Sequence, residues 1–451
     1  MVKVKLKQLK TSSSPGPDLV HPRVLVEAAD QLAKPLTTIF KKSLSTGVLP
    51  TDWKLGVVVP IFKKGDRQVP GNYRPVSLTA IPCKVLESLI RDCLMAHLEE
   101  GRVLSSHQHG FRPRRSCTSQ LLEVIYEWTS SLERGEPVDS LYLDFRKAFD
   151  SVPHQRLLHK LEAYGVTGKV KSWITSFLSD RRQRVVVRGC SSPWVPVTSG
   201  VPQGSVLGPA LFVLFINDLP ESVRSSIKIF ADDTKIYSSV SPSPSTGSDQ
   251  LQQDLDAAIA WSDLWQLPFN EAKCKVLHIG PRNPCHSYTM RGLELESVSS
   301  EKDLGIHLDS ALKFRKQASS AAAKGNQMLA LVRRSFFCID AVTLPLLYKT
   351  LVRPHLEYGN IIWGPFNRAD QILIERVQRR ATKLVPELKH LPYQERLRRL
   401  NLPSLYHRRR RGDMIAIFQI MTGVVNVPPD QFFEPAVGAV TRGHALKLRK
   451  P

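Results

Sequence analysis

The chain has no CxxC pair and no Cys/His spacing of the metal-binding kind. Its seven cysteines are scattered and odd in number, so they read as free thiols of a reducing compartment rather than a disulfide framework. Nothing at the N-terminus reads as a signal peptide. No apolar run is long enough to span a bilayer. The best candidate, Val206 to Leu219, is broken by Gly208, Pro209, Asn217 and Asp218. Acidic residues are also short: 41 Asp and Glu face 63 Lys and Arg, for a net charge of +22. That balance points to a polyanionic partner, nucleic acid before acidic membrane.

What is present suffices for a folded enzyme. At 451 residues and 42% hydrophobic, the chain can bury a sizeable core and form two or three domains. The positive surplus is uneven. From Ala311 to Pro451 there are 25 Lys and Arg against 9 Asp and Glu. A charge run is usually a solvated face, but a surplus this lopsided reads as a binding surface.

The stretch Ile227 to Tyr237 reads as a β-hairpin with its turn at Ala231-Asp232-Asp233. Adjacent carboxylates repel, and a divalent cation relieves that repulsion. Asp is also an ordinary turn residue, and on this stretch alone that is the commoner meaning. A second acidic stretch changes the balance. Leu141 to Asp150 is a strand pattern ending in Asp144, and a lone Asp in such an apolar setting needs a partner or a metal. Its plainer reading is a cap for the helix starting near Pro153, which suits Asp150 better than Asp144.

Phe230-Ala231-Asp232-Asp233 resembles the FADD box of reverse transcriptases from retrotransposons that lack long terminal repeats. Asp144 to His154 resembles the first palm motif of that family, and the jockey-like elements are the nearest subgroup. Ser199-Gly200-Val201-Pro202-Gln203-Gly204-Ser205 lies between the two acidic motifs, in the family's order. The resemblance covers the chain from Ser14 to about Gly423. It implies an α+β right-hand polymerase fold with fingers, an antiparallel-sheet palm and a helical thumb. The corresponding boundaries are 1–139 for fingers, 140–310 for palm with a fingers/palm insertion at 156–195, 311–427 for a basic helical thumb, and 428–451 for a basic tail.

The resemblance also implies roles. Asp144, Asp232 and Asp233 would make the metal site: Asp144 and Asp232 would bind two Mg²⁺, or Mn²⁺ as substitute, and Asp233 would support them from nearer the outside of the direct ligands. Lys273 would act as general acid toward pyrophosphate, with Lys275 as the other choice. Lys63 and Arg74 would contact the nucleotide phosphates. Gln203 and Gly204 would lie against the incoming nucleotide, and Phe149 would close the space a ribose 2′-hydroxyl needs. Phe149 on its own reads equally as a core ring. Gln108-His109-Gly110-Phe111-Arg112 resembles a fingers motif with a template contact at Arg112. Asp303-Leu304-Gly305-Ile306 resembles the hairpin that grips the primer. Arg379 and Arg380, on a basic amphipathic helix over Ile374 to Leu384, and the run Arg408 to Arg411 would track the duplex backbone.

Elsewhere the pattern is less specific. Met1 to Lys10 reads as a strand or a basic arm. Pro22 to Phe40 reads as one helix with Val24, Leu25, Ala28 and Leu32 on its face. Leu19 stands where the family's Ser-Pro-Gly-Pro-Asp-Gly turn has its last glycine. Ser116 to Leu132 reads as a helix packed inside the fingers, and Ser241 to Ser248 as an exposed connector.

The implied activity is RNA-directed DNA polymerisation, with an RNA template, a DNA primer or target, and deoxynucleoside triphosphates. Work as a ribonucleoprotein in nucleus and cytoplasm, without membrane attachment, is the matching expectation. Full elements carry an endonuclease upstream, and none precedes Ser14, so the chain reads as the polymerase portion of a longer frame or a truncated copy. The alternative is a catalytically retired, retroelement-derived RNA-binding protein. Intact Asp144, Asp232, Asp233 and Gln203 argue against it, because binding alone does not need them. A group II intron maturase shares the palm but would pair it with an intron-binding domain, which this sequence does not show.

Overall fold

A computed structural model describes residues 1–240, 247–434 and 448–449. Residues 241–246 of the expected connector, and most of the expected basic tail, lie outside the described residues. The chain forms two compact units that do not follow sequence order. The first comprises Met1–Phe111, Leu143–Thr234 and Gln253–Cys274. The second comprises Arg112–Tyr142, Lys235–Gln252 and Lys275–Pro451.

The first unit is built on a small mixed sheet. Strand Leu55–Phe62 pairs antiparallel with Tyr73–Leu78, from Val57↔Leu78 to Phe62↔Tyr73. Its other edge takes Arg182–Val187 in parallel, from Leu55↔Arg182 to Val58↔Val185. Helices Ile81–Glu100, His154–Ala163, Gly168–Leu178 and Gly208–Ile216 supply the core. Gly208–Ile216 (GPALFVLFI) is apolar all round and buried all round, as a central helix must be. No described helix is long and apolar enough to cross a membrane.

Two expectations for the N-terminal stretch fail. Val2–Lys7 is a helix, neither strand nor arm, because Val2 and Leu6 stand one turn apart and both bury. Its lysines pair outward, Lys3 with Asp30 and Lys5 with Asp92, both at 2.5 Å. The single helix expected from Pro22 is two, Pro22–Glu27 and Ala29–Thr46, broken at Ala28. The buried face is Leu25, Ala29, Leu36 and Phe40, while Val24 is exposed. Leu19 takes a φ of 57°, so the turn keeps the left-handed backbone that glycine favours although a leucine occupies it.

The second unit combines a sheet with a helical bundle. Val138–Leu143 pairs antiparallel with Lys275–Ile279, from Val138↔Ile279 to Tyr142↔Lys275. Glu296–Val298 continues the sheet in parallel on Lys275–Ile279, and Asp233–Ser239 flanks Val138–Leu143 on the other side. Asp139 is fully buried in this sheet and is satisfied three ways. His278 Nδ1 and the Tyr288 hydroxyl lie at 2.7 Å and Asn283 Nδ2 at 2.8 Å.

The helix expected to pack inside the fingers, Cys117–Glu133, packs in the second unit instead. Leu121, Val124 and Trp128 share a core with Tyr237, Ile306, Leu308 and the helices after residue 314. Its apolar stripe was legible, but the surface that would cover the stripe was not. Part of the C-terminal basic surplus is internal. Arg408 Nη2 donates to Glu357 Oε2 at 2.8 Å. Arg396 is buried and donates to the Leu391 carbonyl at 2.6 Å.

Candidate active site

Strand Val138–Leu143 runs directly into Asp144, which is half-buried. Beyond it the backbone zips onto residues 268–270. The Asn270 amide donates to the Asp144 carbonyl at 2.7 Å, and the Arg146 amide to the Pro268 carbonyl at 2.8 Å. The rings of Phe145 and Phe269 stack at 4.4 Å. This pairing brings the short turn Glu271–Lys273 to the carboxylate. Lys273 Nζ lies 3.3 Å from Asp144 Oδ1 and 3.4 Å from Oδ2. Arg146 and Glu271 pair beside it at 2.8 Å.

The second acidic group arrives on the predicted hairpin. Strand Ser226–Phe230 ends, Ala231 and Asp232 form the turn, and Asp233 opens the strand Asp233–Ser239. Ala231 has a φ of 57°, a left-handed backbone that costs energy outside glycine. Its surroundings hold it there. Gln108 Oε1 accepts the Ala231 amide at 3.0 Å and the Gly110 amide at 2.7 Å. The His109 amide donates to the Ile229 carbonyl at 2.8 Å, and the Ile229 amide to the His107 carbonyl at 2.9 Å. A side chain at Gly110 would strike the Ala231 backbone nitrogen, so the close approach requires glycine. Sequence reasoning assigned this segment to the template and missed its buried glutamine. The usable signal was an amide side chain two residues before a glycine, a pattern suited to tying down a turn.

Asp232 is half-buried. Burial pushes its carboxyl above the usual carboxylate range, Asp144 pushes it the same way, and Arg74 and Lys63 pull it back. The two basic side chains come from the hairpin Leu55–Phe62/Tyr73–Leu78, where the Lys63 amide donates to the Asn72 carbonyl at 2.9 Å. One electrostatic neighbourhood therefore holds two carboxylates and the two cations expected to meet phosphate.

The glycine loop is tied to the same place. The Ser77 amide donates to the Gln203 carbonyl at 2.7 Å, and the Val201 amide to the Phe149 carbonyl at 2.7 Å. Gln203 Nε2 donates to Asp150 Oδ1 at 3.3 Å. Asp150 therefore meets the loop and caps no helix, since Pro153 stands at the cap of His154–Ala163. Gly204 has a φ of 113°, and a side chain there would strike the Ser77 carbonyl oxygen. Glu87, buried, accepts the Val206 amide at 2.7 Å and the Leu207 amide at 3.0 Å, anchoring the helix that follows. The Phe149 ring stacks on Phe212 at 4.5 Å and meets Phe111 edge-on at 6.5 Å.

Asp233 is exposed, and among the described residues no three Asp, Glu, His or Cys side chains gather to hold an ion. Asp232 sits in the turn and Asp233 begins the extended strand. The pair Asp144 and Asp232 nevertheless fits Mg²⁺. This ion takes one or two carboxylates and completes its shell with water and substrate phosphate, rather than using an all-protein cage. Two hard oxygen donors that repel each other are such a half-built site.

Lys63, Arg74, Asp144, Phe149, Gln203, Gly204, Asp232, Asp233 and Lys273 all belong to the first unit. Arg112, Leu304, Gly305, Arg379 and Arg380 belong to the second. Leu304 and Gly305 form the two-residue turn of the hairpin Ser300–Asp303/Ile306–Asp309, with φ of 43° and 90°. The Tyr358 hydroxyl donates to the Leu304 carbonyl at 2.8 Å. Arg379 lies 4.4 Å over the Tyr393 ring, and Arg380 donates to Asn326 Oδ1 at 3.0 Å.

Residues 61–311 match the family model described as reverse transcriptase (RNA-dependent DNA polymerase). The chain is 31% identical to the RNA-directed DNA polymerase from mobile element jockey of Drosophila funebris, over 80% of this chain and 41% of that protein. It is 30% identical to the jockey polymerase of Drosophila melanogaster, again over 80% and 41%. It is 29% identical to the probable RNA-directed DNA polymerase from transposon BS of Drosophila melanogaster, over 85% and 44%. The chain thus spans about two fifths of the length of these relatives.

Proposed function

The chain belongs to the reverse transcriptase (RNA-dependent DNA polymerase) family, and from that premise we propose that it extends a DNA primer 3′-hydroxyl with deoxynucleotides on an RNA template, as part of a non-LTR retrotransposon of the jockey type. The observation that carries this reading is the shared neighbourhood of Asp144, Asp232, Arg74 and Lys63. Paired carboxylates beside paired cations suit phosphoryl transfer, where a metal-bound triphosphate has to be held and its charge balanced.

Asp144 and Asp232 would hold two Mg²⁺, with Mn²⁺ as a substitute. When bound, such ions activate the attacking hydroxyl and offset charge on the departing pyrophosphate. The other roles fall to the chain itself. Lys63 and Arg74 meet the phosphates. Gln203 and Gly204 present a fixed loop edge to the incoming nucleotide, and Phe149 limits the room beside the sugar. Lys273, already at Asp144, is placed to give a proton to the leaving group.

The first unit carries fingers and most of the palm in this reading, and the helices after residue 311 form the thumb. Arg112, Leu304, Gly305, Arg379 and Arg380 are proposed primer or template contacts. Work as a ribonucleoprotein in nucleus and cytoplasm, with an endonuclease carried elsewhere in the longer element, completes the proposal.

Primer extension on poly-rA/oligo-dT with dTTP and Mg²⁺ tests it. Incorporation is expected, and Asp232→Asn abolishes it while leaving nucleic-acid binding in place. Near-normal extension by that variant would sink the assignment. Salt-sensitive RNA binding without incorporation by the wild type would favour a retired polymerase.

A further inference from the structure

The helical part of the second unit contains a cavity whose wall includes Arg379, a proposed primer or template contact. It measures about 530 Å³ and lies among helices Arg368–Ala381, Tyr393–Arg399 and Leu405–Met421. Its lining includes Arg376, Arg379, Arg409, Glu375, Tyr393 and Tyr406. A volume of that size suits one nucleotide.

Arg409 is the informative member. It is only 8% exposed, and its Nη2 is buried without a hydrogen-bond acceptor among the described residues. A buried guanidinium nitrogen without an acceptor is costly. Glu375 does not meet this need. Its carboxylate accepts the Tyr393 hydroxyl and, at 3.1 Å, the Leu405 amide. Burial holds the Arg409 guanidinium below its ordinary range against the pull of Glu375, Asp413 and Glu357, and an anion at Nη2 would add to that pull.

The rings narrow the choice of anion. Tyr406 is half exposed at the cavity, with the Arg409 guanidinium 5.9 Å from its ring centre. Tyr393 is already covered by Arg379, 4.4 Å over its ring. An exposed aromatic beside unsatisfied arginine is the equipment that binds a splayed-out base and its phosphate. An acidic peptide would use the arginines but not the ring. A paired base inside a duplex cannot stack on it.

We propose that this cavity binds one nucleotide unit of an unpaired nucleic-acid strand, with phosphate at Arg409 and Arg376 and the base against Tyr406. The proposal does not depend on catalysis and would hold in a chain that catalyses nothing, although Arg379 in the cavity wall is also a proposed primer or template contact.

Fluorescence anisotropy with the full chain tests the proposal. The probes are a labelled single-stranded oligoadenylate and a labelled duplex of matched length. Tyr406→Leu is expected to weaken single-strand binding on the order of 10-fold. The same variant should leave duplex binding within about twofold. Arg376→Ala, at an exposed position, should lower the salt slope of single-strand binding by about one. Arg409→Met is a third variant. Should it fail to fold, the two exposed positions still decide the matter. An equal loss on the duplex would overturn the unpaired-strand assignment, and so would no loss on either probe. Displacement of the oligoadenylate by polyglutamate would assign the cavity to an acidic peptide. Displacement by AMP at the same nucleotide concentration would assign it to a free nucleotide. Either displacement overturns the proposal.

Discussion

Lys273 Nζ stands within 3.4 Å of both carboxylate oxygens of Asp144. An ammonium there occupies the side of the carboxylate where a bound cation would compete with it. Proton donation to a leaving group requires that Lys273 be released from Asp144 as the site fills. Lys273→Ala is therefore expected to slow incorporation on the order of 10²-fold. The same variant should need less Mg²⁺ for half-maximal rate. An unchanged rate with a lowered Mg²⁺ requirement would show that the lysine only balances charge.

Gln108 is a positioning residue in this structure, because it touches the turn and not the reacting atoms. Gln108→Met keeps its bulk and removes the acceptor for the amides of Ala231 and Gly110. The Mg²⁺ requirement should rise on the order of 10-fold, with primer–template affinity retained. Gln108→Glu restores an acceptor oxygen and should recover most of the loss. A merely structural role would show a lowered Tm in both variants and no shift in Mg²⁺ dependence.

Phe149 is braced by Phe212 at 4.5 Å. Phe149→Val should erode discrimination against ribonucleotides on the order of 10²-fold, at a stability cost of about 1 kcal/mol for the lost ring stacking. Single-nucleotide incorporation of dTTP against UTP reads the first effect, and urea unfolding the second. Unchanged discrimination would make the ring part of the core alone.

Asp232 carries a strain that pH can expose. Its carboxyl is raised by burial and by Asp144. A carboxyl raised on folding destabilises the fold when ionised, fully above its folded pKa and not at all below its unfolded value near 3.9. Asp232→Asn should therefore raise Tm at pH 7.5, and the gain should shrink to nothing as pH falls below about 4. A variant melting below the wild type at pH 7.5 would contradict the burial argument.

Much of this was legible in the chain. The strand leading into Asp144, the hairpin turn at Ala231 and Asp232, and the hairpin turn at Leu304 and Gly305 stand where the sequence places them. These elements are local: their periodicity and turn chemistry lie within a dozen residues. The order of the acidic and glycine motifs likewise pointed to the family before any geometry was known.

Partner choice was not legible. Helix Cys117–Glu133 shows an apolar stripe in sequence, but only packing assigns it to the core with Ile306 and Leu308. Gln108 looks like any polar loop residue until the fold sets it against Ala231, 123 positions away. Asp232 and Asp233 are equivalent in sequence, and the turn alone separates a half-buried group from an exposed one. Arg409 sits in a run of four arginines, Arg408 to Arg411, that differ only in what surrounds them. The sequence by itself determined the chemistry the chain carries, because residue types and their order are local facts. The tertiary structure decided which of those groups meet and which are buried, because burial and electrostatic coupling depend on residues far apart along the chain.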